Sequence, residues 1–223
     1  MSGFDQVRAA EYDQGAPRSI LGFEALYDCV MAVLAGRPPR QRLLVLGAGT
    51  GKDTVLIKRR FPEVEVIAID PSEPMLEVAR SKIRAAELQV EVRCGYLEDF
   101  DDLTDLDAVV MIGVLHHLPG PLEQETLLGQ LGRRLRPGGL LVFAAHVGPL
   151  NQPLRAAAWE QQWREQGAEE EEIARRRARM SQLAALDPEA LGRWLGEAGF
   201  NHCERIFSSM FFEAWACLRS AGS

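Results

Sequence analysis

Short β-rich runs separated by helix-length intervals constrain this chain more than any other feature. Leu43–Leu46, Val64–Ile69, Val90–Arg93, Ala108–Ile112 and Leu140–Ala145 read as strands. Asp53–Arg60, Pro74–Ala86 and Leu122–Leu135 read as the helices between them, and Gly22–Ala35 as a helix before the first strand. Strands that alternate with helices must run parallel, because each helix carries the chain back across the sheet. Right-handed crossovers then stack the helices on both faces. The fold class is therefore α/β: a Rossmann-like, doubly wound sheet.

After Ala145 the alternation stops for about forty residues, which read as an inserted helical pair. In its second half Glu171 and Glu172 each precede an arginine by four positions (Arg175, Arg176), the order that favours an exposed helix. Pro188–Gly199 is a further helix, opened by Asp187 as N-cap. His202–Ser208 and Phe211–Leu218 close the chain as an antiparallel hairpin, for seven strands in all. The expected organisation is an N-terminal arm and helix (1–40) over the site, a core (41–150), a helical lid (151–187) and a segment that completes the core (188–223).

The chemistry concentrates in LLVLGAGTGKD, where Gly47, Gly49 and Gly51 fall at a turn from strand to helix. Glycines there let the backbone approach a ligand, with helix N–H groups facing it. The spacing is not that of a P-loop, since only three residues separate Gly47 from Gly51-Lys52 and Asp53 follows. Nor is it a dinucleotide fingerprint, whose third glycine would fall on Lys52. Asp70 ends the second strand, nineteen residues past Gly51, where a carboxylate accepts both hydroxyls of a ribose. A nucleoside without a pyrophosphate is the implied ligand.

These motifs, with AIDPSEPML, GYLEDF, MIGVLHHL and LRPGGLLVF in order, resemble the class I S-adenosylmethionine (SAM)-dependent methyltransferases. The resemblance runs from about Gln41 to Ala145, with a weaker echo from Asp187 onward. It implies SAM as cofactor: Gly47, Ala48, Gly49 and Gly51 under the methionine chain, Asp70 and Pro71 at the ribose, and Met75, Gly95, Tyr96 and Leu97 around the adenine. Ile112, Val114 and His117 would complete the cofactor site. Two positions depart from the pattern. Val45 stands where the family carries an acid near the SAM amino group, and Tyr96 stands where it carries an aspartate. Further upstream, RSILGF (Arg18–Phe23) is similar to a segment of carboxy-SAM synthases, which suggests Arg18 for the methionine carboxylate.

Ligands of open α/β sheets bind beyond the carboxyl ends of the strands, so His116, His117, His146 and Asn151 face that mouth. His146, Tyr12 and Asn151 are the catalytic candidates. His116, Trp159, Trp163 and Phe211 are candidates to line or roof the acceptor pocket. A net charge of −7 argues against a nucleic-acid or anionic-membrane footprint, and no run of about 18 apolar residues appears. A small-molecule acceptor, no metal, a cytoplasmic location and a monomer or homodimer are the expectations. Cys29, Cys94, Cys203 and Cys217 form no CxxC pair and are expected as buried, reduced thiols. Methyl transfer is the leading activity. The alternative is SAM cyclisation to azetidine-2-carboxylate and methylthioadenosine, since without an acid near Val45 a desolvated amine loses its proton and becomes a nucleophile.

Overall fold

The computed structural model describes residue 13 and residues 15–221; Tyr12, one of the catalytic candidates, lies outside the described residues. The elements run α1 (Phe23–Gly36), β1 (Arg42–Leu46), α2 (Lys52–Arg60), β2 (Glu65–Asp70), α3 (Glu73–Ala85), β3 (Glu91–Cys94) and β4 (Leu106–Ile112). They continue with α4 (Pro121–Arg134), β5 (Leu135–His146), α5 (Pro153–Glu165), α6 (Glu170–Met180), α7 (Pro188–Glu197), β6 (Phe200–Ser209) and β7 (Phe212–Arg219). The seven strands form one sheet in the order β3-β2-β1-β4-β5-β7-β6, with β7 antiparallel to both its neighbours. The chain direction of the crossovers reverses between β1 and β4, which opens the crevice where such folds bind ligands.

Both faces of the sheet are buried, and the period-two alternation of each strand assigns its side chains to one face or the other. Leu43 and Val45 of β1 pack with Leu26, Val30 and Leu34 of α1, Ile57 of α2 and Leu76 of α3. Leu44 and Leu46 point the opposite way, toward Leu128 and Leu131 of α4 and Leu191, Trp194 and Leu195 of α7. Each such side chain contributes about 1.5–3 kcal/mol by leaving water. The insert has a core of its own: Trp159 and Trp163 of α5, Ile173 and Met180 of α6, and Phe211 from the β6–β7 turn.

Three sequence expectations change here. Phe211 sits in the turn before β7 and not in the strand, buried beneath the insert, where packing against the two tryptophans claims it. Trp163 likewise fills the core of the insert against Ile173 and Met180 of α6, while Trp159 packs beside it and also lines the cavity that Asn151 lines. Cys203 and Cys217 form a disulfide across the β6–β7 hairpin, Cys94 is exposed and Cys29 half-buried, so the four are not buried thiols. Antiparallel pairing brings the Cα atoms of Cys203 and Cys217 to 4.1 Å, a proximity that residue spacing alone does not reveal. Among the described residues no helix is long and apolar enough to cross a membrane.

Asp107, at the start of β4, fixes the approach to β1. Its buried Oδ2 accepts from the main-chain N–H groups of Arg40 (3.2 Å), Gln41 (2.6 Å) and Arg42 (2.9 Å), while Oδ1 pairs with Arg136. Removing the carboxylate leaves three main-chain donors without their acceptor, at about 1–3 kcal/mol for a group left unsatisfied. Asp107→Ala is expected to lower the unfolding free energy by about 3 kcal/mol in urea titrations. A loss within about 0.5 kcal/mol, the range of ordinary surface changes, would show that this clasp carries no weight.

Candidate functional site

The turn from β1 into α2 lies across the end of β2. The N–H groups of Gly47 and Ala48 both donate to the Ile69 carbonyl, at 2.9 and 3.0 Å. Gly47 has φ +71°, and a Cβ on it would collide with Val114 of the loop after β4. Gly51 has φ +84°, and a Cβ there would stand 2.9 Å from that of Ala79 on α3. Glycine is thus required twice over, for left-handed backbone and for close packing.

Asp70 reaches back from the end of β2 to this turn. Its Oδ2 accepts from Gly49 N–H at 2.9 Å and its Oδ1 from Ser72 N–H at 2.8 Å. Burial pushes the carboxyl up from its usual value, against the opposing pull of the Ser72 and Gly49 N–H groups. An ionised carboxylate offers about four acceptor sites, so each oxygen keeps capacity for a hydroxyl donor. Next to it, β2–β3 pairing sets Asp70 opposite Cys94 and delivers Gly95, Tyr96 and Leu97 to the same edge. Tyr96 N–H donates to Asp99 Oδ2 at 2.7 Å, which fixes the turn while the Tyr96 ring stays exposed. Leu97 and Met75 are buried, and Pro71 is exposed.

On the other side of the glycine turn a cavity of about 460 Å³ is lined by Gly47, Ala48, Gly49, Gly51 and Ile112. Asp13, Ala16 and Pro17 of the arm, Phe23 and Tyr27 of α1, and Lys52 and Asp53 of α2 also line it. Of these, Tyr27, Lys52 and Asp53 are polar groups that sequence reasoning did not single out. The available signal was an aspartate directly after a glycine turn, preceded by a helix with Phe23 and Tyr27 on its buried side.

The histidines cluster beyond β4 and β5. The ring of His116 lies 4.4 Å from that of His117 and 4.6 Å from that of His146, centroid to centroid. His146 N–H donates to His116 Nδ1 at 3.3 Å, so the neutral His116 carries its proton on Nε2. Burial first, then the neighbouring His146 and His117, hold His116 well below its usual value. Burial, then His117, brings His146 down to about 4. Both rings are therefore neutral at pH 7. Because unfolding lets them take up protons below about 6.5, this cluster weakens the fold as pH falls from there toward 4. Gln124 holds the neighbouring chain by donating to the carbonyls of Leu115 and Ala184.

Two other candidates lie away from the glycine turn. Arg18 does not line the cavity: its guanidinium donates to Gln166 Oε1 (3.2 Å) and to the Gln166 carbonyl (3.1 Å), and lies 4.8 Å from the Trp163 ring. It ties the arm to the insert. Asn151 is exposed and lines a second cavity of about 910 Å³ with Trp159, Met180, Leu183 and Leu186. Among the described residues no group of three or more His, Cys, Asp or Glu is arranged to hold a metal ion.

Asp70→Ala removes charge-assisted hydrogen bonds of about 1.5–3 kcal/mol from any ribose held there, so titration calorimetry should show affinity for S-adenosylhomocysteine falling about tenfold or more. Unchanged affinity would place the nucleoside elsewhere.

Comparison with known proteins agrees with this geometry. The methyltransferase-domain family model matches residues 43–139. A carboxy-S-adenosyl-L-methionine synthase of Hydrogenovibrio crunogenus is 26% identical over 97% of this chain and 89% of its own length. An O-methyltransferase family protein of Burkholderia thailandensis superposes with TM-score 0.72 at 17% identity, over 98% of this chain and 61% of that one. Magnesium protoporphyrin IX methyltransferase of Synechocystis, solved with S-adenosylhomocysteine, superposes with TM-score 0.64 at 15% identity, over 88% and 83% of the two chains. At these identities the structural likeness speaks for the fold. The chain thus has the class I methyltransferase fold, and residues 43–139 match the methyltransferase-domain family model.

Proposed function

We propose that this protein binds SAM and transfers its methyl group to a small molecule. The observation that carries the reading is Asp70, whose two oxygens are oriented by Gly49 and Ser72 at the crevice between β1 and β2, beside a turn that only glycines can make. SAM is the cofactor, and its sulfonium supplies an already activated methyl group. The chain's part is to bind, orient, exclude water and handle a proton. Asp70 takes the ribose hydroxyls, the turn from Gly47 to Gly51 lies under the methionine chain, and Met75, Tyr96 and Leu97 flank the adenine. Ile112 and Val114 wall the site at the end of β4.

His146 is neutral at pH 7 and is the proposed acceptor of the proton that the nucleophile sheds; Tyr12 and Asn151 are the further polar candidates. A ring brought down to about 4 is a weak base, so an acceptor that is neutral or only mildly acidic needs the in-line alignment of the site more than proton abstraction. The arm and the α5–α6 insert act as a lid, linked by Arg18 on Gln166 and by Gln162 Nε2 on the Arg18 carbonyl (3.2 Å). The relatives named carboxy-SAM synthases keep open a second reading, in which SAM is itself the molecule modified. Val45 favours the same class: it is fully buried between Ala68 and Val110, so the acid usual at this position is absent and cyclisation becomes chemically accessible.

The products separate these readings. With SAM and a panel of phenols, amines and carboxylic acids, mass spectrometry is expected to find S-adenosylhomocysteine with at least one acceptor, and not with heat-inactivated protein or with Asp70→Ala. Azetidine-2-carboxylate formed from SAM alone above both controls would overturn methyl transfer, as would a carboxylated SAM.

A further inference from the structure

The cavity beside the glycine turn contains a buried carboxylate and an ammonium on consecutive residues, and neither is used by the reading above. Asp53 is 8% exposed and accepts the Tyr27 hydroxyl on Oδ1 at 2.6 Å. Lys52 Nζ lies 4.3 Å from the Phe23 ring centroid and 4.6 Å from that of Tyr27, and is held by Glu24 at 2.7 Å. All of these side chains except Glu24 line the cavity together with Gly47, Gly49 and Gly51. One wall therefore presents both signs of charge a few ångströms from backbone that approaches a ligand closely.

We propose that Asp53 and Lys52 bind the zwitterionic end of the SAM methionine chain, Asp53 its ammonium and Lys52 its carboxylate. This assignment rests on the SAM reading and replaces Arg18, which does not line the cavity. It also accounts for Val45. The acid absent from β1 is supplied from the first turn of α2, across the same glycine turn. Burial pushes the Asp53 carboxyl up to about 6, against the opposing pull of the Tyr27 hydroxyl and the Lys52 charge, so it is mostly ionised at pH 7.5 in a buried place. A ligand ammonium would add a second opposite charge beside it. An amine paired with a carboxylate stays protonated and has no lone pair with which to attack its own chain, so the pairing favours methyl transfer over cyclisation.

The charged groups around Asp53 are Glu24 and Tyr27 on α1, Lys52 and Arg59 on α2, Lys82 on α3, and Asp13 on the arm. Lys52 is paired with Glu24 and Lys82 with Asp13, which leaves the Asp53 carboxyl as the group set to titrate near 6 on ligand binding.

The test compares two stable ligands by calorimetry: S-adenosylhomocysteine, which carries the amino-acid chain, and methylthioadenosine, which lacks it. Asp53→Asn and Lys52→Met should each weaken S-adenosylhomocysteine about tenfold and leave methylthioadenosine within about twofold, while Asp70→Ala weakens both. At pH 6, wild-type protein should release roughly half a proton per S-adenosylhomocysteine bound, measured across buffers of different ionisation enthalpy, and Asp53→Asn should release none. Lys52 is partly exposed, so its variant tests the assignment even if Asp53→Asn fails to fold. Equal losses for the two ligands, or no loss of either in Lys52→Met and Asp53→Asn, would overturn the assignment while leaving the SAM reading intact. Failure of wild-type protein to bind either ligand would overturn both.

Discussion

The hydrogen bond from the Gly49 N–H to the Asp70 carboxylate ties the end of β1 to the end of β2, and the proposed ligand site depends on it. It is possible only because β1 and β2 run parallel in register, with Leu46 opposite Ile69, so that both strands terminate at the same edge. It also requires the turn after β1 to fold back over β2, which left-handed glycines permit and which the bonds to the Ile69 carbonyl hold. The carboxylate is consequently held in a fixed orientation, so the ribose proposed to bind there would need little further ordering of the site. Apolar side chains above and below the two strands make the frame stiff.

Around that frame the chain distributes charge unevenly. The side proposed for the adenine is built from apolar and aromatic groups, Met75, Leu97 and the exposed Tyr96. The opposite side holds Lys52 and Asp53 at the start of α2, and the arm reaches it through Asp13, which accepts the Thr50 hydroxyl and pairs with Lys82. The arm in turn is docked on the insert through Arg18. A continuous chain of contacts thus runs from the glycine turn through the arm to Trp163, where Arg18 and Arg176 lie 4.8 and 3.8 Å from the ring centroid. Movement of the arm would therefore carry the insert with it, which under the proposed lid would couple cofactor binding to access for an acceptor.

The strands, the terminal hairpin, the glycine turn and Asp70 were legible in the sequence because each is encoded locally, by apolar runs or by a motif of a few adjacent residues. The strand limits all moved by one or more residues, and most at β5, where the Pro-Gly-Gly segment blurs the pattern. What was not legible depends on contacts between distant segments. Arg18 read as a carboxylate ligand because nothing local reveals Gln166 beside it, and Trp163 read as a roof because the covering helix α6 looks merely charged. The Cys203–Cys217 bond follows from hairpin register, not spacing, and the Tyr27–Asp53 pair joins two helices across 26 residues.

A crystal structure with S-adenosylhomocysteine tests the central claim most directly. The account predicts both ribose hydroxyls within hydrogen-bonding distance of the Asp70 carboxylate and the amino-acid chain over the turn from Gly47 to Gly51. A nucleoside bound elsewhere, with Asp70 touching only Gly49 and Ser72, would contradict it.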